Sequence, residues 1–450
     1  MKRIIYITIV CVFLSSLYSC KPNLEGFIPS AGEADFSNYV AIGNSLTAGF
    51  ADGALTREGQ TNSFSQMLAT QFSVVGGGEF KIPFLPEGTA GNDGSGGTRS
   101  VLRNVMNCQG FSNVGPVTVL GPAVSLASVS GQGPFNALGI PGARAVDAVT
   151  DIYSSLNPFL GRIVQIPGGT SILKEALRAK PTFFSLWLGS NDVLGFATGG
   201  GVGAVDPAFP FPGDLTNPAQ LGAVLTATVD SLVNKAGAQG VIANIPDVTS
   251  VPFFTTIPWN GVVLTQGAAD TLNLLYTQVG HPNIRWKAGA NPYIIEDTTV
   301  INGTLRIRQA RPNELILLTT PGDSIRCAQW GISPFKALGD VYVIDDKELA
   351  DIQAHTNAYN TIISNIASTY DIALADMNSF MKEFNKGIVY NGANFSRDYI
   401  SGGVFSLDAV HPNPRGYALV ANRFIEAINR KYKATVPTVD VNSFEGVIFP

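Results

Sequence analysis

Five short apolar segments recur along this chain of 450 residues, and helical patterns separate them. Turn residues bound each segment, which is typical of parallel strands that are covered on both faces. Strands that alternate with helices predict an α/β fold with a doubly wound, mostly parallel five-stranded sheet. The predicted strands are YVAIG (39–43), FNALGI (135–140), TFFSLWLG (182–189), GVIANI (240–245) and DIALADM (371–377), and the predicted helices cover 171–180, 218–238, 346–369 and 414–432.

Two regions interrupt this alternation. The glycine-rich stretch 87–100 lacks the G-K-[ST] ending of a phosphate-binding loop, so it is interpreted as a surface loop. Residues 250–345 contain two strand-like runs, PYIIEDTTVI and GTLRIRQA, which predict a hairpin around Asn302-Gly303. We therefore expect one domain over 37–450, with a large insertion at about 250–345 that could shape a substrate pocket.

The N-terminus has the pattern of an export signal. Lys2 and Arg3 precede a short apolar stretch, and small residues follow it. The sequence LYSC resembles a bacterial lipobox, although Tyr18 is an unusual residue within it. We expect a signal peptide over 1–19, lipidation of Cys20, and a tether over 20–36 to a bacterial membrane, in particular the outer membrane. The alternative is an ordinary cleaved signal peptide.

Charge and cysteine content exclude several classes of partner. The formal net charge is −5 and there is no long basic run, so no nucleic-acid partner is expected. No C-x-x-C or Cys/His spacing suggests structural zinc. Cys108 and Cys327 could form a disulfide in an oxidising compartment, or could be two buried thiols.

The segment YVAIGNSLTAGF (39–50) ends a predicted strand in a turn of small residues that contains Ser45. Ser45 could simply cap a helix, because a serine hydroxyl is a poor nucleophile until a base accepts its proton. Histidine is the usual base, and the chain has three. His281 lies in a turn and His355 in a helical segment, and neither has a catalytic pattern around it.

His411 differs, because it follows Asp408 by three residues in SLDAVHPNPRGY. On a helical turn this spacing places two side chains on one face. Asp408 could then accept the imidazole N–H and fix the tautomer that leaves the other ring nitrogen free. The alternative is that both residues only cap a turn and the final helix.

Two further strand ends offer hydrogen-bond donors for an oxyanion. LGIPGAR (138–144) presents Gly142, where a backbone N–H can approach a ligand closely. LWLGSNDVL (186–194) presents Asn191, whose amide is a neutral donor. Ligands of open α/β sheets bind at the carboxyl ends of strands, so Ser45, Gly142 and Asn191 could meet there.

The blocks G-N-S-L, G-x-x-G, G-S-N-D and D-x-x-H, in this order, make the chain similar to the SGNH (GDSL-type) hydrolase family. The resemblance implies a flavodoxin-like α/β/α sandwich with a catalytic triad of Ser45, His411 and Asp408. It also implies an oxyanion hole formed by the Ser45 N–H, Gly142 and Asn191. The chain departs from the family at Asn44, where Asp is common, but an Asn side chain can still cap the turn.

This resemblance favours a serine hydrolase that cleaves carboxylic acyl esters in the manner of a lipase or esterase, without a cofactor. The apolar stretches 251–259 and 204–213 could line an acyl pocket, or could equally pack in the core or contact the insertion. Asp247 is interpreted as structural. A carbohydrate O-acetylesterase is the runner-up. An alternative of another class is a surface ligand-binding lipoprotein that has lost the chemistry.

Overall fold

A computed structural model describes residues 28–88, 90–120, 122–301 and 304–450. The predicted signal peptide, Cys20, the first part of the tether and the Asn302-Gly303 turn lie outside these ranges. The strands are β1 (Tyr39–Gly43), β2 (Thr98–Met106), β3 (Ser112–Leu120), β4 (Ala137–Gly139), β5 (Phe183–Trp187), β6 (Gln239–Ala243), β7 (Val262–Leu264), β8 (Gly289–Asn291), β9 (Ile294–Ile301), β10 (Thr304–Gln309), β11 (Leu315–Ile316), β12 (Val343–Ile344), β13 (Ala373–Ala375), β14 (Ile388–Tyr390) and β15 (Ala393–Phe395).

Helices connect and cover these strands. They are α1 (Ser45–Ala48), α2 (Arg57–Thr61), α3 (Phe64–Ser73), α4 (Tyr153–Leu156), α5 (Pro158–Gly161), α6 (Ile172–Arg178), α7 (Asn191–Thr198), α8 (Pro218–Asp230), α9 (Pro252–Thr255), α10 (Gln266–Gln278), α11 (Gly322–Ala328), α12 (Asp346–Thr369), α13 (Met377–Glu383) and α14 (Pro414–Tyr432). Among the described helices, none combines the length and the hydropathy that a bilayer span requires.

The central sheet has the strand order β13-β6-β5-β1-β4, and every pairing in it is parallel. Numbered by position along the chain, this order is 2-1-3-4-5, the flavodoxin-like arrangement. On the flanks, α14 packs against α3 and β13, α8 packs against α12, and α6 packs against β1 and β4. The predicted three-layer α/β/α architecture is therefore confirmed. The strand order reverses between β1 and β5, and this topological switch point is where a ligand crevice is expected, at the carboxyl ends of the two strands.

The core of the sheet is aromatic, and it extends to residues before the first strand. Phe36 is 2% exposed, and its ring stacks on Phe72 with a centroid distance of 4.1 Å. The ring of Phe183 in β5 meets Phe36 edge-on at 4.8 Å. The packed domain thus begins before residue 37, because the last residues of the expected tether are buried in it.

The region expected to be an insertion has a second hydrophobic core. Residues of β7–β12 and α10 pack around Tyr276, Trp286 and Ile294, which are all buried. Strands β9 and β10 pair in antiparallel fashion, as the two strand-like runs predicted. The backbone of Leu318 donates to Phe253 O at 3.0 Å, which links this core to α9 of the main domain.

The antiparallel hairpin of β2 and β3 was not predicted. It occupies the long segment between β1 and β4, and its tip carries Cys108. Cys108 forms a disulfide with Cys327 in α11, so the second of the two alternatives for these cysteines, buried thiols, is wrong. The bridge ties the hairpin to the region that contains the second core.

Candidate active site

Ser45 lies at the point where β1 passes directly into the short helix α1. Asn44 caps this helix, because its side-chain oxygen accepts from the Leu46 N–H at 3.0 Å. The turn is tight: a Cβ on Gly43 would lie 2.1 Å from Thr47 Oγ1. Glycine is therefore required before Asn44, and the Asn at the family's Asp position caps the turn as expected.

His411 lies between Ser45 and Asp408. Its Nε2 is 2.8 Å from Ser45 Oγ, and its Nδ1 is 3.0 Å from Asp408 Oδ2. An imidazole that donates from Nδ1 to a carboxylate leaves Nε2 free to accept the proton of the serine hydroxyl. The structure therefore brings these three residues, separated by up to 366 positions, into one hydrogen-bonded series.

The carboxylate of Asp408 accepts four hydrogen bonds. Oδ1 receives the backbone N–H groups of Val410 at 2.9 Å and His411 at 2.8 Å. Oδ2 receives His411 Nδ1 and the Gly53 N–H at 3.0 Å. Burial alone would raise the pKa of Asp408, but the charge of His411 and these hydrogen bonds outweigh burial and lower the pKa to about 2. Asp408 is therefore ionised at any ordinary pH.

The loop 404–413 presents His411 to Ser45. It is closed by a bridge between Phe405 and Pro412, and it ends at Asn413, which caps α14 by accepting from the Gly416 N–H at 3.0 Å. The ring of Phe50 packs on the imidazole of His411 with a centroid distance of 4.8 Å. These contacts hold the imidazole at the mouth of the crevice.

Gly142 and Asn191 follow β4 and β5, on either side of β1. The Asn191 amide donates to Ala143 O at 2.9 Å, which fixes it beside the loop that carries Gly142. The other amide hydrogen of Asn191 has no acceptor among the described residues. In the described part of the chain, the N–H groups of Ser45 and Gly142 have no acceptor either. Unengaged donors thus remain at three strand ends along this edge of the sheet.

Asp192 also links the start of α7 to the loop that follows β4. Its Oδ2 accepts from the Ala145 N–H at 2.8 Å, two residues after the Ala143 carbonyl that accepts from Asn191. Burial raises the pKa of Asp192 to about 6. The sequence contains Asp192 in the G-S-N-D block, but nothing local indicates that it supports the loop after β4.

An apolar cleft opens beside Ser45 and His411. Its empty volume, including the open mouth, is about 760 Å³. Val251 of the stretch 251–259 lines this cleft, and no residue of the stretch 204–213 does, so the acyl-pocket alternative is wrong for 204–213. Phe209 and Phe211 of this second stretch are exposed, and Arg144 Nη1 donates to Pro210 O between them at 2.7 Å. The apolar lining includes Leu46, Trp187, Leu194, Val248, Met377, Phe380, Met381, Phe384, Val404, Phe405, Val410 and Val420.

The contribution of α13 to this cleft was missed. Its sequence, MNSFMKE, has apolar residues at helical spacing, and such a pattern equally describes a helix that packs on the core. Because α13 directly follows β13, it lies at the carboxyl edge of the sheet, on the far side from Gly142. The cleft therefore extends from Ser45 toward β13.

The remaining sequence candidates lie elsewhere. His355 is bound in α12, with Nδ1 to Asp351 O at 2.8 Å and Nε2 to Asp206 at 3.1 Å. The N–H of His281 donates to Tyr276 O in the second core. Asp247 caps a short helical turn by accepting from the Thr249 N–H at 3.0 Å. Within the described ranges, no group of three metal-ligating side chains occurs.

The fold and this edge of the sheet together define an α/β protein with hydrogen-bonded Ser, His and Asp at its flavodoxin-like switch point. The model of the GDSL-like lipase/acylhydrolase family matches residues 39–424. The chain therefore belongs to the GDSL-like lipase/acylhydrolase family, as the sequence resemblance implied, and this membership supports an ester hydrolase.

Comparisons with curated protein sequences and with solved structures add less information about this chain. Among curated proteins, no sequence matches this chain. A crystal structure of an extracellular lipase from Streptomyces rimosus is similar, with 13% sequence identity and a TM-score of 0.32. That alignment covers 89% of this chain and 100% of the lipase chain.

Proposed function

We propose that the protein hydrolyses carboxylic acyl esters through an acyl-enzyme intermediate, with Ser45 as nucleophile, His411 as general base and the Asp408 carboxylate as the group that orients His411. The observation that carries this proposal is the pair of hydrogen bonds through His411, at 2.8 Å to Ser45 Oγ and 3.0 Å to Asp408 Oδ2. A base within this distance of a hydroxyl can accept its proton as the hydroxyl attacks.

In the first half of the reaction, Ser45 Oγ attacks the ester carbonyl while His411 Nε2 takes the proton. The tetrahedral intermediate then collapses, and His411 returns the proton to the leaving alcohol. In the second half, water attacks the acyl-Ser45 ester and His411 acts again, first as base and then as acid. The ionised Asp408 stabilises the imidazolium in each half.

The oxyanion of each tetrahedral intermediate would accept from the N–H of Ser45, the N–H of Gly142 and the amide of Asn191. Donors that are fixed before the reaction stabilise developing charge without reorganising. The contact between Asn191 and Ala143 O supports this role, because it fixes the amide next to Gly142 while one of its hydrogens stays unused.

The apolar cleft supports an acyl chain, not only an acetyl group, as the acid part of the substrate. Chains with several methylenes would contact Met377, Phe380 and Met381 along the direction from Ser45 toward β13. Burying each methylene contributes about 0.8 kcal/mol. A lipase-like acyl esterase is therefore favoured over the runner-up, a carbohydrate O-acetylesterase.

We expect kcat/KM for p-nitrophenyl octanoate to exceed that for the acetate by at least about tenfold, because the longer chain buries more apolar surface. The measurement compares acetate, butyrate, octanoate and palmitate esters, using a chain that begins at residue 21. Turnover of acetyl esters alone would instead support the O-acetylesterase. No turnover of any ester would move the proposal toward a ligand-binding protein.

We also propose that the protein is exported and anchored to the outer membrane through a lipidated Cys20. The support is the sequence LYSC after the apolar stretch, and two acyl chains suffice for stable anchoring where one does not. We expect the N-terminal peptide of the membrane-extracted protein to begin at Cys20 and to carry lipid mass. The Cys20→Ser variant should leave the membrane fraction. An N-terminal peptide without lipid that begins at another residue would show an ordinary signal peptide.

A further inference from the structure

The turn Ala51–Ala54 lies against the loop that carries Asp408 and His411. Its central residues are Asp52 and Gly53, with φ angles of 56° and 82°. Ala51 and Ala54 exchange backbone hydrogen bonds of 3.2 and 3.0 Å across it. An Asp-Gly pair with two positive φ angles is the two-residue type I′ turn. The pairing across it uses the backbone of Ala51 and Ala54, so the N–H groups of Asp52 and Gly53 take no part in it.

Both of these N–H groups bind the 404–413 loop. The Asp52 N–H donates to Ser406 Oγ at 3.0 Å, and the Gly53 N–H donates to Asp408 Oδ2 at 3.0 Å. The side chain of Asp52 adds a third bond, because its Oδ1 accepts from the Leu407 N–H at 2.9 Å. Three consecutive loop residues, 406 to 408, are therefore each bound by this one turn.

Asp52 is also held from its other side. The Ser100 N–H of β2 donates to Asp52 O at 2.8 Å, and Arg99 forms an ion pair with Asp52 Oδ2 at 3.4 Å. The side chain of Asp52 is only 19% exposed. The β2–β3 hairpin thus fixes Asp52, and Asp52 in turn fixes the backbone next to Asp408.

We propose that Asp52 is a positioning residue for the reaction: its carboxylate sets the backbone of the 404–413 loop so that Asp408 and His411 stay aligned with Ser45. Asp52 does not touch the reacting atoms and acts through Asp408 and His411. This inference rests on the proposed function, since it deepens the role of the same site. Displacements of about 1 Å in such a site can reduce turnover about 100-fold.

The test removes the side chain of Asp52 without straining the backbone. Asp52→Gly keeps the positive φ and both turn N–H groups, because glycine adopts this conformation freely. Asp52→Asn keeps the acceptor oxygen for Leu407 but loses the charge. Asp371→Gly is the matched control, because Asp371 also has a positive φ, of 53°, and its side chain is 89% exposed.

For p-nitrophenyl butyrate, we expect Asp52→Gly to lower kcat by about 10- to 100-fold at nearly unchanged KM. Asp52→Asn should stay within about threefold of wild type, because the hydrogen bond to Leu407 survives. Thermal midpoints measured in parallel identify any general loss of folding. A kcat of Asp52→Gly equal to that of Asp371→Gly would overturn the proposal, as would Asp52→Asn being as slow as Asp52→Gly.

Proton NMR gives a readout that needs no substrate. The Nδ1–H of His411, shared with Asp408, should give a low-field resonance that His411→Gln removes, and His355→Gln identifies any signal from the other buried histidine. We expect Asp52→Gly to broaden this resonance and Asp52→Asn to keep it. Loss of the resonance only in Asp52→Gly, with no ester turnover in any variant, would reject the proposed function and still support the positioning role.

Ser406→Ala tests the same turn independently if Asp52→Gly does not fold. It removes the acceptor of the Asp52 N–H and leaves every atom of the turn in place. We expect a smaller loss of kcat, about three- to tenfold, with a broadened His411 resonance. An unchanged kcat together with an unchanged resonance in Ser406→Ala would overturn the proposal.

Discussion

Replacing Ser45 by alanine is expected to lower ester turnover by more than about 10⁴-fold, because in the proposed mechanism the acyl-enzyme forms on its hydroxyl. The fold should survive the change. Among the described residues, Ser45 Oγ makes one hydrogen bond, to His411 Nε2, and losing such a bond costs about 1 kcal/mol. The measurement is kcat for p-nitrophenyl butyrate, with the thermal midpoint as the check on folding.

Ser231→Ala is the matched control for this experiment. Ser231 is 7% exposed, as Ser45 is, and its Oγ donates to Ala227 O at 2.9 Å, outside the residues that line the cleft. It should keep most of the activity of the wild type. A fluorophosphonate probe should add its mass to the peptide that contains Ser45 in wild type and in Ser231→Ala, and not in Ser45→Ala. Turnover that persists in Ser45→Ala would reject Ser45 as the nucleophile.

The elements that the sequence predicted best are those with strong local signals. The strand YVAIG was predicted at the residues where β1 lies, and α12 and α14 have the predicted bounds. Asp345 forms a capping box at the start of α12, and Asn413 with Pro414 starts α14, so both helices have clear N-terminal signals. The last sheet strand was predicted as 371–377 but comprises only Ala373–Ala375, because it is an edge strand that pairs only with β6.

The elements that were missed depend on contacts between distant residues. The β2–β3 hairpin lies outside the main core and exposes apolar residues such as Met106, so its sequence lacks the pattern of a buried strand. The Asp52-Gly53 pair is a readable turn signal. Its binding to residues 406–408, more than 350 positions away, follows only from the fold.

The contrast between local signals and contacts of distant residues also applies to the site. The spacing of Asp408 and His411 predicted a local contact, which the 3.0 Å bond between them matches. The approach of His411 to Ser45 requires that β1, the 404–413 loop and α14 pack together, since these two residues are 366 positions apart. The order of the four sequence blocks indicated this meeting through the family resemblance, and not through any local rule.

Asp408→Asn is expected to lower kcat by about 10⁴-fold while the fold is retained. Four N–H groups point at the carboxylate of Asp408, two at each oxygen. Whichever way an Asn side chain is oriented, its NH₂ group faces two of these donors. In the orientation that keeps the Oδ1 contacts, the NH₂ meets His411 Nδ1. That contact favours the tautomer with the proton on Nε2, which cannot accept the proton of Ser45.

The stability of this variant should depend on pH in a defined way. Folding lowers the pKa of Asp408 from its usual value of 3.8 to about 2. A carboxyl whose pKa is lowered by folding contributes stability above its unfolded pKa and loses that contribution as the pH falls toward its folded pKa. The difference in thermal midpoint between wild type and Asp408→Asn should therefore be constant from about pH 7 to pH 5 and shrink between about pH 4 and pH 2.

Asp371→Asn is the control, because that side chain is exposed at a distant turn. It should change neither kcat nor the pH dependence of the thermal midpoint appreciably. If Asp408→Asn kept turnover within about tenfold of wild type, the carboxylate would not be needed to hold the tautomer of His411. A difference in thermal midpoint that already shrinks between pH 7 and pH 5 would contradict the low pKa, because the carboxylate would then be losing its charge well above pH 4.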